Sequence, residues 1–365
     1  MSPRIARHVA HFEQLGRTCE RSGSPLAGAL LRAMAAALGQ GGPLAGMVLA
    51  CALDDAKAVI GLRLLGALHR AALDGRAPDL ARFFATAGGR YAGSADESAL
   101  GTAAIAALEA NPDLVRTYLA GPPQTNEPAR SIGLLVGFLD VARQTGLPLD
   151  LMEIGTSAGL NLCFDRYHYR LGDADFGDPG CGITLQTHWT GALPALDAPL
   201  AVRQRAGTDI APIDATDPIA RQRLLSYVWP DQRQRLDRLQ AALGIAAGVE
   251  RDIARESADA WLARRLAAPA PGAARVVFHS MMWQYMPAPV QAGAQAAIIA
   301  AGERAGVDAP LAWLRMEPEP GHIGFQIRLT CWPGGHLRWI AAAHPHGAWV
   351  RTDAPPVVER GNDMT

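Results

Sequence analysis

The sequence predicts a doubly wound α/β sheet closed by an antiparallel hairpin and preceded by an all-α domain. Three observations carry that prediction. Apolar residues recur at helical spacing through the first third, and no β-branched alternating run precedes about residue 148. From there strand-like and helix-like runs alternate five times, the grammar of a largely parallel sheet covered on both faces. Near the end IGFQIRLTCW and HLRWIAAA flank Pro333-Gly334-Gly335, a hairpin signal.

The elements follow in order. Ser24-Pro25 reads as an N-cap followed by proline at the first helical position, and helical spacing continues through Met34 and Leu38. Residues 56–73 and 96–108 repeat the pattern, with glycine-rich joints at 39–42, 88–93 and 121–123. Together these predict a helical domain over 1–120. Asn126-Glu127-Pro128 opens the next helix, with Asn126 as its N-cap and Gly146 as its stop. A strand at 149–155 leads through Thr156-Ser157-Ala158-Gly159 into a helix reaching about Tyr167. Residues 168–200, aromatic and rich in Gly and Pro, read as an inserted hairpin or loop. A strand at 201–208 ends at Asp209, with helices at 217–228 and 231–243 and a weaker strand at 249–255. Strands at 274–280 and 311–317 bracket a helix at 289–306. The α/β domain therefore spans 124–355, with a flexible tail at 356–365.

Composition narrows the function classes. The chain has 365 residues, 49% of them hydrophobic and 19% charged, which is globular and large enough for two domains. A net charge of −1 argues against a broad grip on nucleic acid or anionic lipid. The arginines between 203 and 238 stand at helical spacing beside acids and read as a solvated face. The one lysine, Lys57, sits in a helical pattern, which excludes Schiff-base lysine chemistry and a phosphate-binding loop that ends in lysine. Five scattered cysteines without a C-x-x-C pair predict neither a disulfide framework nor a structural zinc site. No signal peptide or membrane span is evident. The expectation is a cytoplasmic protein with no nucleic-acid or membrane partner and no metal; His344 and His346 alternate as a metal pair would, but no third ligand is in view.

The most informative stretch is LMEIGTSAGLNLCFDRY, residues 151–167. A strand ending in Glu-Ile-Gly, a second glycine four residues on, and then a helix suit a nucleotide. Small residues let the backbone turn tightly, and a helix N-terminus offers N–H groups. The same letters spell G-x-S-x-G, the nucleophile elbow of α/β-hydrolases, with Ser157 as nucleophile. The upstream segments are helical rather than strands, and no HGGG-type oxyanion motif precedes the turn, so the nucleotide reading leads. A non-catalytic module that binds a cofactor or partner stays open beside both.

Glu-Ile-Gly-Thr-Ser-Ala-Gly-Leu-Asn resembles the first motif of class I S-adenosylmethionine-dependent methyltransferases, and the alternating units with a closing hairpin resemble their seven-stranded Rossmann-like sheet. More closely, the chain resembles an uncharacterised bacterial family, domain of unknown function 2332, with a methyltransferase-like core. The residues that carry this are Thr125-Asn126-Glu127, the 153–169 stretch, Gly207-x-Asp209, Val228-Trp229-Pro230, His279-Ser280 and His344-Pro345-His346-Gly347. The resemblance implies S-adenosylmethionine as cofactor and methyl transfer to an unidentified small-molecule or protein acceptor. It also implies roles. Glu153 holds the methionine end, Gly155, Ser157, Gly159 and Asn161 lie against the cofactor, and Asp209, with Asp214 as fallback, takes the ribose. Asp259 faces the adenine, and Asn126 and Glu127 overhang the pocket. At the end of the fourth strand Ser280 adjoins the cofactor, His279 is a candidate general base and Tyr285 orients the acceptor. An Asn/Asp-Pro-Pro-aromatic motif is missing there, which sets this chain apart from many amino-methylating members.

Overall fold

The computed structural model describes residues 2–51 and 59–353, so Lys57, the start of the predicted 56–73 helix and the predicted tail lie outside the described residues. The chain divides into two compact units, Met1–Thr125 with Asp217–Gln240, and Asn126–Thr216 with Ala241–Thr365.

The first unit is helical, through α1 (Pro3–Arg21), α2 (Pro25–Gln40), α3 (Pro43–Ala50), α4 (Ile60–Leu73), α5 (Pro78–Ala81), α6 (Glu97–Ala110) and α7 (Pro112–Leu119). Ser24 caps α2 as its sequence predicts, its Oγ accepting from the Ala27 N–H, with Pro25 in the first turn. The core joins Phe12, Leu30, Leu64, Phe84 and Leu100 to Tyr227 from much later in the chain. The sequence pattern assigned 217–240 to the α/β domain, yet this stretch groups with the helical unit. Polar contacts explain why. Asp231 accepts from Ser24 Oγ–H at 2.6 Å and from Leu26 N–H at 3.2 Å, closing the start of α2. His69, fully buried on α4, donates through Nδ1 to the Ser226 carbonyl at 3.1 Å and meets Thr86 Oγ1 at 2.8 Å through Nε2. Tyr118 shares a 2.6 Å bond with Ser226 Oγ.

The second unit begins with α8 (Arg130–Thr145) and β1 (Leu149–Ile154), followed by β2 (His168–Leu171), β3 (Ala174–Phe176), β4 (Thr184–Thr190) and β5 (Val202–Asp209). The chain then runs through α9 (Pro218–Ser226) and α10 (Arg233–Ala247) to β6 (Asp252–Arg255) and α11 (Ala258–Arg265). It closes with β7 (Ala274–Ser280), α12 (Ala288–Glu303), β8 (Leu311–Pro318), β9 (Phe325–Trp332), β10 (His336–Ala343) and β11 (Trp349–Arg351).

Among the described residues the sheet has eleven strands, in the order β3-β2-β4-β11-β10-β9-β8-β7-β1-β5-β6, rather than seven. The run β6-β5-β1-β7-β8 is parallel, and β8, β9, β10 and β11 then alternate in direction. The excess comes from two places. The 168–200 insertion, read as a hairpin or loop, forms β2, β3 and β4. The short β11 then pairs with β4, covering main-chain groups that the predicted hairpin would leave at an edge.

Helices cover both faces of the parallel run. Gly133 and Gly137 let α8 press onto one face; a Cβ on Gly133 would stand 2.7 Å from Ile327 Cδ1. Apolar residues of α11 and α12, Trp261, Leu262, Ala294 and Ile298, pack with Met152, Ile154 and Val277 on the other. Two local expectations fail. Asn126 is not a helix cap, because α8 starts four residues later and Asn126 turns elsewhere. The segment after the glycine turn is a 3-10 stretch, Asn161–Arg166, instead of an α-helix. It is pinned to β5 by the Arg205–Asp165 ion pair, two bonds of 2.7 Å that bury an arginine expected on a solvated face.

Candidate functional site

Strand β1 has β5 and β6 on one side and β7 and β8 on the other, so chain order reverses there. In open α/β sheets a crevice forms at the carboxyl ends of strands at such a switch point. The glycine turn leaves β1 at this place. Gly155, Ser157 and Gly159 all have positive φ, at 67°, 52° and 69°, which glycine adopts without strain and serine does not.

The turn is held from several elements at once. Thr208 O on β5 accepts from the N–H groups of Gly155 (2.8 Å) and Thr156 (3.1 Å). Asp209, the last residue of β5, accepts from Ser157 N–H at 2.9 Å and, through its other oxygen, from Ala211 N–H at 2.8 Å. Asn126 Oδ1 accepts from Leu160 N–H at 3.0 Å, and Arg251 Nη1 donates to the Ala158 carbonyl at 2.9 Å. The hydroxyls of Tyr167 and Tyr169 donate to the carbonyls of Leu160 (2.7 Å) and Phe164 (2.6 Å), so these aromatics anchor the segment after the turn.

Glu153 lies beneath the turn, only 2% exposed. One oxygen accepts from Thr156 Oγ1–H at 2.5 Å and the other from Asn161 Nδ2 at 3.4 Å. Burial pushes its carboxyl up to about 8, helped by the Asp209 charge and opposed by the Thr156 and Asn161 hydrogen bonds and by Arg130. The group is therefore protonated at neutral pH. Two buried atoms at the turn, Ser157 Oγ and Asn161 Oδ1, have no hydrogen-bond partner.

The sheet alternation separates a second cluster from this one. Glu153 is in register with Phe278, so His279, one residue further, points to the opposite face. His279 donates from Nδ1 to Glu317 Oε1 at 2.7 Å and accepts at Nε2 from Trp313 Nε1–H at 3.2 Å, while Trp283 stacks on it at 4.8 Å. Both ring nitrogens are engaged, so this geometry does not present His279 as the general base the sequence suggested. Tyr285 is 61% exposed. Ser280 is buried at the end of β7, and its carbonyl accepts from Arg130 Nη1 at 3.3 Å.

The remaining candidates make local contacts. Glu127 is buried and accepts from Ala129 N–H at 3.2 Å. Asp259 is held below the usual carboxylate range, chiefly by a Ser257 hydrogen bond, and a Cβ on Gly293 of α12 would stand 2.9 Å from its own Cβ. Asp214 accepts from both N–H and Oγ–H of Thr216 at 2.7 Å. His344 and His346 face each other across a turn at 5.5 Å, with His346 N–H donating to His344 Nδ1. Among the described residues no three His, Cys, Asp or Glu side chains gather as a metal site, and no single helix is long and apolar enough to cross a membrane. A cleft of about 770 Å³ at the opposite ends of β5 and β6 is lined by Arg166, Arg203, Arg205 and Arg265, but Asp165, Asp150 and Asp252 pair with them.

The structure thus gathers Asn126, Glu153, Gly155, Ser157, Gly159, Asn161 and Asp209 around one turn, and turns His279 to the other face of the sheet. Sequence reasoning missed Thr156, Arg130, Arg251 and Glu317. Glu317 carried a usable signal, an acid at the end of a parallel strand like Asp209; the arginines carried none in a chain where nearly every basic residue is arginine.

Fold and site together define an α/β protein with a helical unit and a buried, partly unsatisfied polar turn at its switch point. Residues 9–352 match the model of a family described as uncharacterised proteins conserved in bacteria (DUF2332), and the chain belongs to that family. Comparison with curated proteins and with solved structures yields no match.

Proposed function

We propose that the second unit binds S-adenosylmethionine at the glycine turn and transfers its methyl group to an acceptor. The observation that carries this reading is the pair of buried, unpartnered atoms, Ser157 Oγ and Asn161 Oδ1, on a turn at the sheet's switch point. Buried polar atoms are nearly always satisfied, so an orphaned pair at such a place favours a ligand.

The residues fit part of the cofactor. Asp209 spends one acceptor position of each oxygen on the turn and keeps capacity for ribose hydroxyls, since a carboxylate has about four such positions. Asn161 Oδ1 and Ser157 Oγ suit the amine and carboxyl of the methionine end. Asp259, whose Oδ1 is likewise buried without a hydrogen-bond partner, keeps its place as the candidate adenine contact. Bound S-adenosylmethionine supplies a methyl group on an electrophilic sulfonium. The chain's part is to align and dehydrate the reactants, with Glu153 neutral beneath the turn so that no second carboxylate repels Asp209. Calorimetric titration with S-adenosylhomocysteine tests this, and binding without turnover of any acceptor would favour the non-catalytic module.

A second reading rests on Ser157 itself, whose left-handed backbone and unpartnered Oγ suit a nucleophile elbow. Among the described residues no histidine hydrogen-bonds to its Oγ, and His279 points to the other face. A hydrolase would label with a fluorophosphonate, and Ser157→Ala would abolish the label.

A further inference from the structure

The segment after β7 is held in a costly conformation beside the glycine turn. Met281 has φ +54°, a left-handed backbone that costs a non-glycine residue about 1 kcal/mol or more. Glu317 on the neighbouring strand β8 holds it there. Its Oε1 accepts from Met282 N–H (3.1 Å), Trp283 N–H (3.3 Å) and His279 Nδ1–H (2.7 Å), while Oε2 is buried without a partner. The consequence is where Met282 goes. A Cβ on Gly155 would stand 2.9 Å from both Cγ and Cε of Met282, so this side chain fills the space over the first glycine of the turn.

We infer that residues 281–283 form a gate over the glycine turn, with Met282 as the occluding side chain and Glu317 as its latch. The inference rests on the reading that a small molecule binds at the turn. Methionine suits the role, because an unbranched side chain with three rotatable bonds can swing aside without unfolding the backbone. The latch concentrates three donors on one oxygen, so a single substitution weakens the closed state. A ligand that needs the open state binds with its affinity reduced by the fraction of molecules that are open.

The test uses the full chain, with S-adenosylhomocysteine as probe. Met282→Ala, which empties the space over Gly155, is expected to bind it about tenfold tighter than wild type. In Glu317→Gln the carbonyl keeps the acceptor position but loses the charge. Its Met282 and Trp283 amides are expected to exchange about tenfold faster, while the Met281 amide, bonded to Met316 O, stays unchanged. Equal or weaker probe binding by Met282→Ala, with wild type binding normally, overturns the gate and leaves the cofactor reading intact. No probe binding by any form defeats the cofactor reading instead, and the exchange measurement, which needs no ligand, then decides: unchanged 282–283 amides overturn the latch.

Discussion

Around His69 in the helical unit and around Glu153 in the sheet unit the chain buries a titratable side chain among hydroxyls and backbone groups. His69 Nδ1, His69 Nε2, Thr86 Oγ1, Ser226 Oγ and the Tyr118 hydroxyl all have partners. Around Glu153, Ser157 Oγ and Asn161 Oδ1 do not. The first network is closed and ties residues 217–240 to α4, which is what a structural network needs. The second is incomplete at the place where α/β sheets bind ligands. Burial alone does not tell the two apart; satisfaction does.

That contrast can be broken by mutation. His69→Ala removes a buried ring and takes the His69 partner from Thr86 Oγ1 and from the Ser226 carbonyl, so it should destabilise the helical unit by about 4 kcal/mol, read by urea unfolding and by loss of amide protection in α4. A cost below about 1 kcal/mol would place the closed network among dispensable contacts.

The two titratable groups predict opposite pH slopes. Burial lowers His69 to about 4 against the hydrogen bonds of the Ser226 and Val228 backbone. Between pH 4 and 6.5 the unfolded chain holds the His69 proton and the folded chain does not, so stability rises with pH by up to about 1.4 kcal/mol per unit. Between pH 4.5 and 8 the folded chain keeps the Glu153 proton that the unfolded chain has lost, so stability falls as pH rises at up to the same rate. Glu153→Gln should abolish the downward slope between pH 6.5 and 8, where His69 contributes none, and gain up to about 3 kcal/mol near pH 7. Urea midpoints across that range measure it, and an unchanged slope would mean the carboxyl is not desolvated as its burial implies.

Smaller effects follow. Asp231→Ala strips two hydrogen bonds from the start of α2 and should cost about 1–2 kcal/mol, seen as faster amide exchange in its first turn. Ser157→Ala removes a hydroxyl that nothing holds, so thermal unfolding should move stability by no more than about 0.5 kcal/mol. A loss as large as that of His69→Ala would erase the distinction between the networks.

Much of this was legible in the sequence, for physical reasons that differ by region. The parallel strands β1, β7 and β8 are near-continuous apolar runs, and Ser24-Pro25 spells its own cap. The glycine turn and Asp209 could be found because positive φ and strand-end acids leave marks in residue type. Strands β2, β3 and β11 are three or four residues long, and tertiary pairing makes them strands where local preference is weak. The place of 217–240 rests on Asp231 and Tyr227 meeting partners over a hundred residues away. The partners of His279 were not legible, because what holds its two nitrogens, Glu317 and Trp313, lies on another strand.

The central claim, that the glycine turn of β1 is a ligand site, is tested most directly by titrating S-adenosylhomocysteine into the wild type and into Asn161→Ala in the same calorimeter. The account predicts saturable heat with a Kd below about 1 mM for the wild type, weakened about tenfold or more when the side chain that carries the unpartnered Oδ1 is removed. No heat from the wild type at millimolar ligand, or equal binding by both proteins, would contradict it.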